Sequence, residues 1–340
     1  MTWRLPAEWE PQERIWLVWP RDETTWPGDH LASARRAFVH AMQELAPQPV
    51  SLLAHPETAS GARDAIQHLD HVTLVEAEHV DSWIRDYGPL TLLSEDKTRT
   101  LKFRFDAWGE KYETLMADDS VVERLAAAGH MPAPETIDFV LEGGAVETDG
   151  QGTFLATESV AAGRGQSLEE HHEALHRHLG AQHVIWLGDG IQGDDTDGHI
   201  DTITRFVGPA TVVTTVAPKG HPDEPALTAN LRRLRGATDA AGHALTIHTL
   251  PVPDAITTDD GEPLPAGHAN FLIGNHAVLV PTYGGSSDAE ALDVLGRCFP
   301  DWRVVGIDHR DLIWGFGGIH CLSMQIPASP RAAASDAMQG

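Results

Sequence analysis

The chain has 340 residues, 41% of them hydrophobic, and carries 50 acidic against 24 basic side chains for a formal net charge of −26, with only four lysines (Lys97, Lys102, Lys111 and Lys219). So acidic a surface makes nucleic acid and anionic membranes poor partners; it would draw in a small cation, although a solvated acidic surface explains the charge equally well. Two cysteines give no disulfide framework, no basic-apolar-small leader opens the chain, and no run nears the ~18 apolar residues of a membrane span, so the sequence reads as a cytoplasmic protein of one large α/β domain or two average ones.

Taken in order, Arg14 to Trp19 reads as a strand ended by Pro20, and the tryptophans around it as core. Apolar residues at helical spacing predict a helix from His30 to Ala46, followed by a strand at Val50 to Leu53, a helix at Ala59 to Leu69 and a strand at Val72 to Val75. Asp81-Ser82-Trp83-Ile84-Arg85-Asp86-Tyr87-Gly88-Pro89 then forms a loop before the apolar Leu90 to Leu93. Two acids, an arginine and two aromatics are a costly set to bury without purpose, but a solvated turn with an ion pair would use the same residues. Glu142-Gly143-Gly144 follows a strand from Thr136 to Leu141 and precedes a strand pair divided by the turn Thr148 to Gly152. An acid at a strand end before two glycines suits a ligand-facing carboxylate or a β-bulge.

Three motif matches in the middle of the chain fail on context. His172-Glu173-Ala174-Leu175-His176 has the zinc-protease spacing on a helix from Ser167 to Leu179, but no third histidine follows at the spacing of the extended motif. Gly188-Asp189-Gly190-Ile191-Gln192-Gly193 satisfies the dinucleotide fingerprint, yet it opens into carboxylates that would repel phosphate. The same acidic run fits the inner places of a calcium loop, with Gly193 and Thr204 where its first and last ligands belong. What remains is His199-x-Asp201 leading into a strand at Thr202 to Val207, a histidine and a carboxylate on one face and a plausible acid/base and anchor pair.

Strand and helix units continue through Ala210 to Val216, Glu224 to Ala241, Leu245 to Leu250, Asn270 to Ile273, Ala277 to Val280, Ser286 to Cys298 and Val304 to Ile307, recurring roughly every 65 to 70 residues. The chain then reaches Gly315-Phe316-Gly317-Gly318-Ile319-His320-Cys321, where the glycines permit a sharp turn beneath a ligand and display a thiol. A free thiol is only a few per cent ionised at neutral pH, so a catalytic Cys321 needs something to stabilise its anion. If residues 319 to 325 are extended, His320 faces away from Cys321 and the base comes from elsewhere. A small buried hydrophobe is the other reading of Cys321, and Cys298 reads as core.

With Asp86, Glu142, His199, Asp201 and Cys321 assembled, the chain resembles the agmatine deiminase and bacterial-type peptidylarginine deiminase family of guanidino-modifying hydrolases. The likeness runs from Pro6-Ala7-Glu8-Trp9-Glu10-Pro11 to Gln325. It rests on Trp19-Pro20, Trp83 to Pro89, Glu142-Gly143-Gly144, Asp195 to Asp201, Asn270-Phe271 and Gly318-Ile319-His320-Cys321. The resemblance implies a single catalytic domain over residues 1–327, an α/β-propeller of about five ββαβ-type units with pseudo-fivefold symmetry (pentein-like), and a disordered tail over 328–340. It implies Cys321 as nucleophile, His199 as general acid/base oriented by Glu142, and Asp86 and Asp201 gripping a small cationic guanidino substrate beside Trp83 and Gly318. No cofactor or metal is called for, and a homo-oligomer is left open. Phe316 and Gly318 depart from the Gly-Gly-Gly-Asn common in the family's cysteine loop, and His268-Ala269 from its usual Ser-Tyr, so the substrate's far end is read differently here. The expected reaction is agmatine plus water to N-carbamoylputrescine and ammonia. The alternatives are deimination of another guanidine, a non-catalytic guanidine binder, and a zinc hydrolase using His172 and His176.

Overall fold

The computed structural model describes residues 2–330. Its strands form five separate sheets of mixed α/β architecture. Four of the five follow one pattern, an antiparallel hairpin whose second strand runs parallel to a third. These are β4 (Leu90–Leu93), β5 (Thr98–Arg104) and β6 (Glu135–Val140); β7 (Glu147–Thr148), β8 (Thr153–Thr157) and β9 (His183–Leu187); β10 (Thr204–Gly208), β11 (Thr211–Val216) and β12 (Thr246–Pro251); and β13 (Leu272–Ile273), β14 (Ala277–Thr282) and β15 (Arg303–Asp308). The fifth sheet is built from both ends of the chain. Strand β16 (Ser323–Pro327) pairs antiparallel with β1 (Gln12–Val18), which runs parallel to β2 (Val50–Ala54) and through it to β3 (Val72–Glu76). Each parallel step needs a crossover, and helices supply it, as the right-handed connection of parallel strands requires.

Local sequence accounts for these elements. The helix His30–Leu45 buries Leu31, Ala34, Phe38, Ala41, Met42 and Leu45, the i, i+3, i+4 stripe that packs on a sheet. The strand Val50–Ala54 is buried at every position, as a run covered on both faces should be. The helix Ser286–Cys298 has the bounds expected from the sequence, with Cys298 half-buried against a core cluster.

Five readings need correction. Strand β5 has no counterpart in the sequence reading; Arg99, Lys102 and Arg104 interrupt its apolar pattern, yet Lys102 is buried, its ammonium paired with Asp119. The segment 81–89 is not all loop, for Ile84–Tyr87 is a short helix. His199 and Asp201 do not share a strand face: Ile200–Thr202 is a 3-10 turn and β10 begins only at Thr204. Residues 319–322 are turns ahead of β16, so the alternation used to turn His320 away from Cys321 does not apply. The first strands of the five sheets start at residues 90, 147, 204, 272 and 323, a shorter and less even period than the sequence suggested. Of the tail, Ala328 donates its N–H to Pro11 O at 2.8 Å, and residues 331–340 lie outside the described part.

These starting points position the site. Asp86, Glu142 with Gly144, His199 with Asp201, Asn270 and Cys321 all lie within six residues before the first strand of a sheet, one group per sheet. Equivalent places in similar units thus bring distant sequence together. Buried ion pairs tie the units to one another: Arg205 on β10 donates to Glu147 of β7 (2.7 Å) and to Glu8 of the N-terminal segment (2.8 Å), and its side chain is fully buried. Among the described residues, no helix is long and apolar enough to cross a membrane.

Removing one partner of a buried ionic network strands the others without compensation. Arg205→Met should therefore cost about 3–5 kcal/mol in urea unfolding. Arg297→Met, which breaks an exposed pair with Asp293, should stay within about 0.5 kcal/mol of the parent.

Candidate active site

Cys321 follows a loop that is forced close to its neighbours. A Cβ added at Gly317 would stand 2.5 Å from the Trp83 ring, and one at Gly318 would stand 2.5 Å from Asn270 Oδ1. Only glycine lets the backbone pass there. Asn270 fixes the loop in return, accepting the His320 backbone N–H at 3.2 Å and donating Nδ2 to Cys321 Sγ at 3.2 Å. His309, fully buried, accepts the Ile319 N–H on Nε2 at 3.0 Å.

Around Gly144 the acids and the histidine converge. A Cβ at that glycine would lie 2.5 Å from His199 Nδ1, 2.9 Å from Asp86 Oδ1 and 3.2 Å from Asp201 Oδ2. Gly144 N–H donates to Asp86 Oδ1 at 3.2 Å, and Trp108 Nε1–H to Asp86 Oδ2 at 3.0 Å. His199 Nδ1 is 3.7 Å from Asp86 Oδ1, its Nε2 is 4.0 Å from Glu142 Oε2, and Cys321 Sγ is 3.7 Å from Asp201 Oδ2. Cys321, Asp86, Trp83 and Trp108 line a cavity of about 280 Å³ whose loop wall is Gly315, Phe316 and Gly317. The five residues expected to do chemistry are therefore brought together. Gly318 packs on Asn270 and supports the loop.

Burial sets the electrostatics of this group. It pushes the Cys321 thiol well above its ordinary range, and the carboxylates of Asp201 and Asp86 add to the effect. Asp86 is likewise raised well above the usual carboxyl value by burial and by Asp201 and Glu142. Glu142 is raised because burial outweighs its 2.6 Å bond from Arg164 Nε. Burial lowers His199 to about 3, leaving a neutral imidazole. Asp201 goes the other way: burial would raise it, but the hydrogen bond and charge of His320 hold it below its ordinary value. Within this group four buried atoms lack a hydrogen-bond partner, namely His199 Nδ1 and Nε2, Glu142 Oε2 and Asp201 Oδ1. Such atoms are costly unless something binds them, and a planar cation rich in N–H donors suits the acceptors.

Several residues here escaped the sequence reading. Trp108 holds Asp86 from a segment in which Ala107, Trp108, Gly109 and Glu110 all have positive φ. Arg164 spans Glu142, Asp197 Oδ2 (2.7 Å) and Thr196 O (3.0 Å) with its side chain fully buried. His320 donates to Asp201 Oδ2 across 2.7 Å. None belongs to a spacing pattern; the only signal was His320's place beside Cys321. The helical pair His172 and His176 is exposed, with His176 Nδ1 bonded to Ala181 O at 2.7 Å. No group of three His, Cys, Asp or Glu among the described residues is spaced to hold a metal ion, so the zinc reading lacks a third ligand. No helix follows Gly193 closely enough to hold a pyrophosphate.

Residues 4–327 match the model of the Porphyromonas-type peptidyl-arginine deiminase family. The chain belongs to that family. It is 32% identical to the agmatine deiminase of Stutzerimonas stutzeri, with 95% of each chain covered. Among solved structures, the family fold recurs in the agmatine deiminase of Enterococcus faecalis, described as catalyzing its reaction, at 29% identity and a TM-score of 0.87 with 96% of each chain covered. The C. jejuni agmatine deiminase shares the fold, with a TM-score of 0.86 at 24% identity over 96% of this chain and 97% of that one.

A thiol held neutral by burial and two acids should react slowly in the free deiminase-family protein. Carbamidomethylation of Cys321 by iodoacetamide, followed by peptide mass spectrometry, should accelerate about tenfold per pH unit up to about pH 9. A plateau below about pH 8 would mean that the thiolate is already formed without substrate.

Proposed function

We propose that this protein is a hydrolytic deiminase of agmatine, converting it with water to N-carbamoylputrescine and ammonia through a covalent Cys321 intermediate. The observation that carries the proposal is a cavity-lining thiol set against Asp86 and Asp201, with neutral His199 and Glu142 beside them. The names of the relatives supply the substrate, and Asp22 and Asp195 in the cavity lining favour an amine tail over the carboxylate of free arginine. The fold is read as a propeller of five ββαβ units, one per sheet, forming one catalytic domain over residues 1–327 with the site where the five first strands begin.

In this reading the guanidinium carries the missing positive charge. A unit-charge pair at 4 Å is worth about 4 kcal/mol at an effective dielectric near 20, and the cation meets more than one acid. Its arrival stabilises the Cys321 thiolate, and the thiol proton passes to neutral His199. The thiolate attacks the guanidinium carbon, forming the C–S bond. His199 returns the proton to the departing nitrogen as the C–N bond breaks, and ammonia leaves an S-alkylthiouronium. His199 then takes a proton from water, which adds to the same carbon. As this adduct collapses the C–S bond breaks, the leaving thiolate takes the proton held by His199, and the hydroxyl proton is lost to solvent as the C=O of the ureido product forms, which restores both the thiol and neutral His199. Asp86 and Asp201 hold the guanidinium nitrogens throughout, Trp83 walls the cavity, and Glu142 faces the His199 ring.

Purified, metal-free protein should release ammonia from agmatine at a higher kcat/KM than from arginine, a C-terminal arginyl peptide or simple alkylguanidines. Cys321→Ala should abolish release while keeping the parent's unfolding midpoint. Asp86→Asn, which keeps the shape of the site, should lower kcat/KM by roughly a hundredfold. Full activity in Cys321→Ala would remove the covalent mechanism, and tight agmatine binding by the parent without ammonia release would make the protein a binder.

A further inference from the structure

Beside Asp201 stands a buried ionic cluster that the proposed reaction does not use. The His320 ring, 1% exposed, places Nδ1 2.7 Å from Asp201 Oδ2 and Nε2 2.7 Å from Glu8 Oε2. Glu8 comes from the N-terminal segment before β1 and is fixed on both oxygens: Oε2 also accepts Arg205 Nη2 at 2.8 Å, and Oε1 accepts the Ile273 N–H at 2.8 Å. An ionised carboxylate only accepts hydrogen bonds, so an imidazole held between two of them must donate from both nitrogens and carries both protons. Both acids are held below their ordinary carboxylate range against the effect of burial, Glu8 foremost by the Arg205 guanidinium and Asp201 by its hydrogen bond from His320.

We propose that Glu8 and His320 are positioning residues for the reaction, a Glu8–His320–Asp201 relay that keeps Asp201 ionised, with Oδ2 anchored and Oδ1 free for a guanidinium N–H. Asp201 Oδ1 has no hydrogen-bond partner, whereas both oxygens of Asp86 are engaged by Gly144 N–H and Trp108 Nε1–H. The relay thereby divides two otherwise similar carboxyls. Asp86, raised by burial and neighbouring acids, is the easier of the two to protonate, and Asp201 enters as the anion that first captures the cation. The carbonyl of His320, next in the chain to Cys321, accepts Arg85 Nε at 3.2 Å and Ser323 Oγ at 2.8 Å. This inference rests on the guanidine-deiminase reading.

The groups facing Asp201 are His320 from the cysteine loop, Arg85 from the short helix Ile84–Tyr87 and Arg205 from β10 on the positive side, neutral His199 from its own turn, and Asp86, Asp194 and Cys321 opposing. Replacing His320 by asparagine keeps a neutral donor near Asp201 Oδ2 and removes the charge. His320→Asn should raise KM for agmatine roughly tenfold with a smaller change in kcat, and should move the acid limb of the kcat/KM pH profile to higher pH as Asp201 becomes easier to protonate. Glu8→Gln should shift both in the same direction by less. A purely structural role would lower the active fraction, and with it kcat, leaving KM and the acid limb in place; that result overturns the relay.

A second measurement is independent of turnover. In the full chain labelled with 15N-histidine at about pH 7, the His320 ring, assigned by its loss in His320→Asn or its shift in Glu8→Gln, should show protons on both nitrogens. One bare nitrogen overturns the relay whatever the substrate. Should the parent turn over no guanidine at all, the functional reading falls by itself, and the ring protonation alone decides the relay.

Discussion

Too much negative charge is buried around one thiol, and the rest of the site follows from that. Asp86, Asp201 and Glu142 are each 4% exposed or less; the first two converge with His199 on the backbone of Gly144, and Glu142 stands 4.0 Å from the other side of the His199 ring. Burying like charges raises the cost of ionising any of them, which is why the thiol and two of the three acids are driven toward their neutral forms. A site so arranged favours a cation that presents N–H groups, and the proposed reaction makes that cation the substrate. Chemistry and recognition then share one cause, since the group that is bound also supplies the charge that the nucleophile needs.

Such a concentration of acid survives only because arginines and a histidine are buried outside it. Arg164 secures Glu142 and reaches the Asp197 loop, Arg205 spans Glu8 and Glu147, and Arg85 donates from Nη1 to Gln325 at 2.8 Å. These links also join sheets that share no strand, so the ionic network serves the fold and the site together. The proposed relay through His320 is the part of this network that touches the reacting groups.

The arrangement of the chain explains why no short window contains the site. Each sheet offers one segment just before its first strand, and each segment contributes one or two groups. The residues before a strand are free of ladder hydrogen bonds and can turn toward the cavity, while the strand behind them is rigid. Glycines at 144, 317 and 318 remove side chains where these segments meet.

Sequence alone determined the elements with uninterrupted patterns, such as His30–Leu45 and Ser286–Cys298, because periodic burial is a local property of the chain. It also singled out Cys321, Asp86, Glu142, His199 and Asp201, whose acid, glycine and thiol content is unusual enough to be noticed one motif at a time. Tertiary structure decided the rest. Strand β5 hid behind Lys102, whose burial depends on a partner 17 residues away. His320 was set aside on a strand alternation that the turn at 319–322 does not obey, and its two carboxylate partners lie 119 and 312 residues away. Trp108 and Arg164 matter through contacts with Asp86 and Glu142, each made across 22 residues of chain within one unit. A residue's chemistry is legible in the chain, but its partners, and therefore its charge state, are fixed only when folding closes those distances.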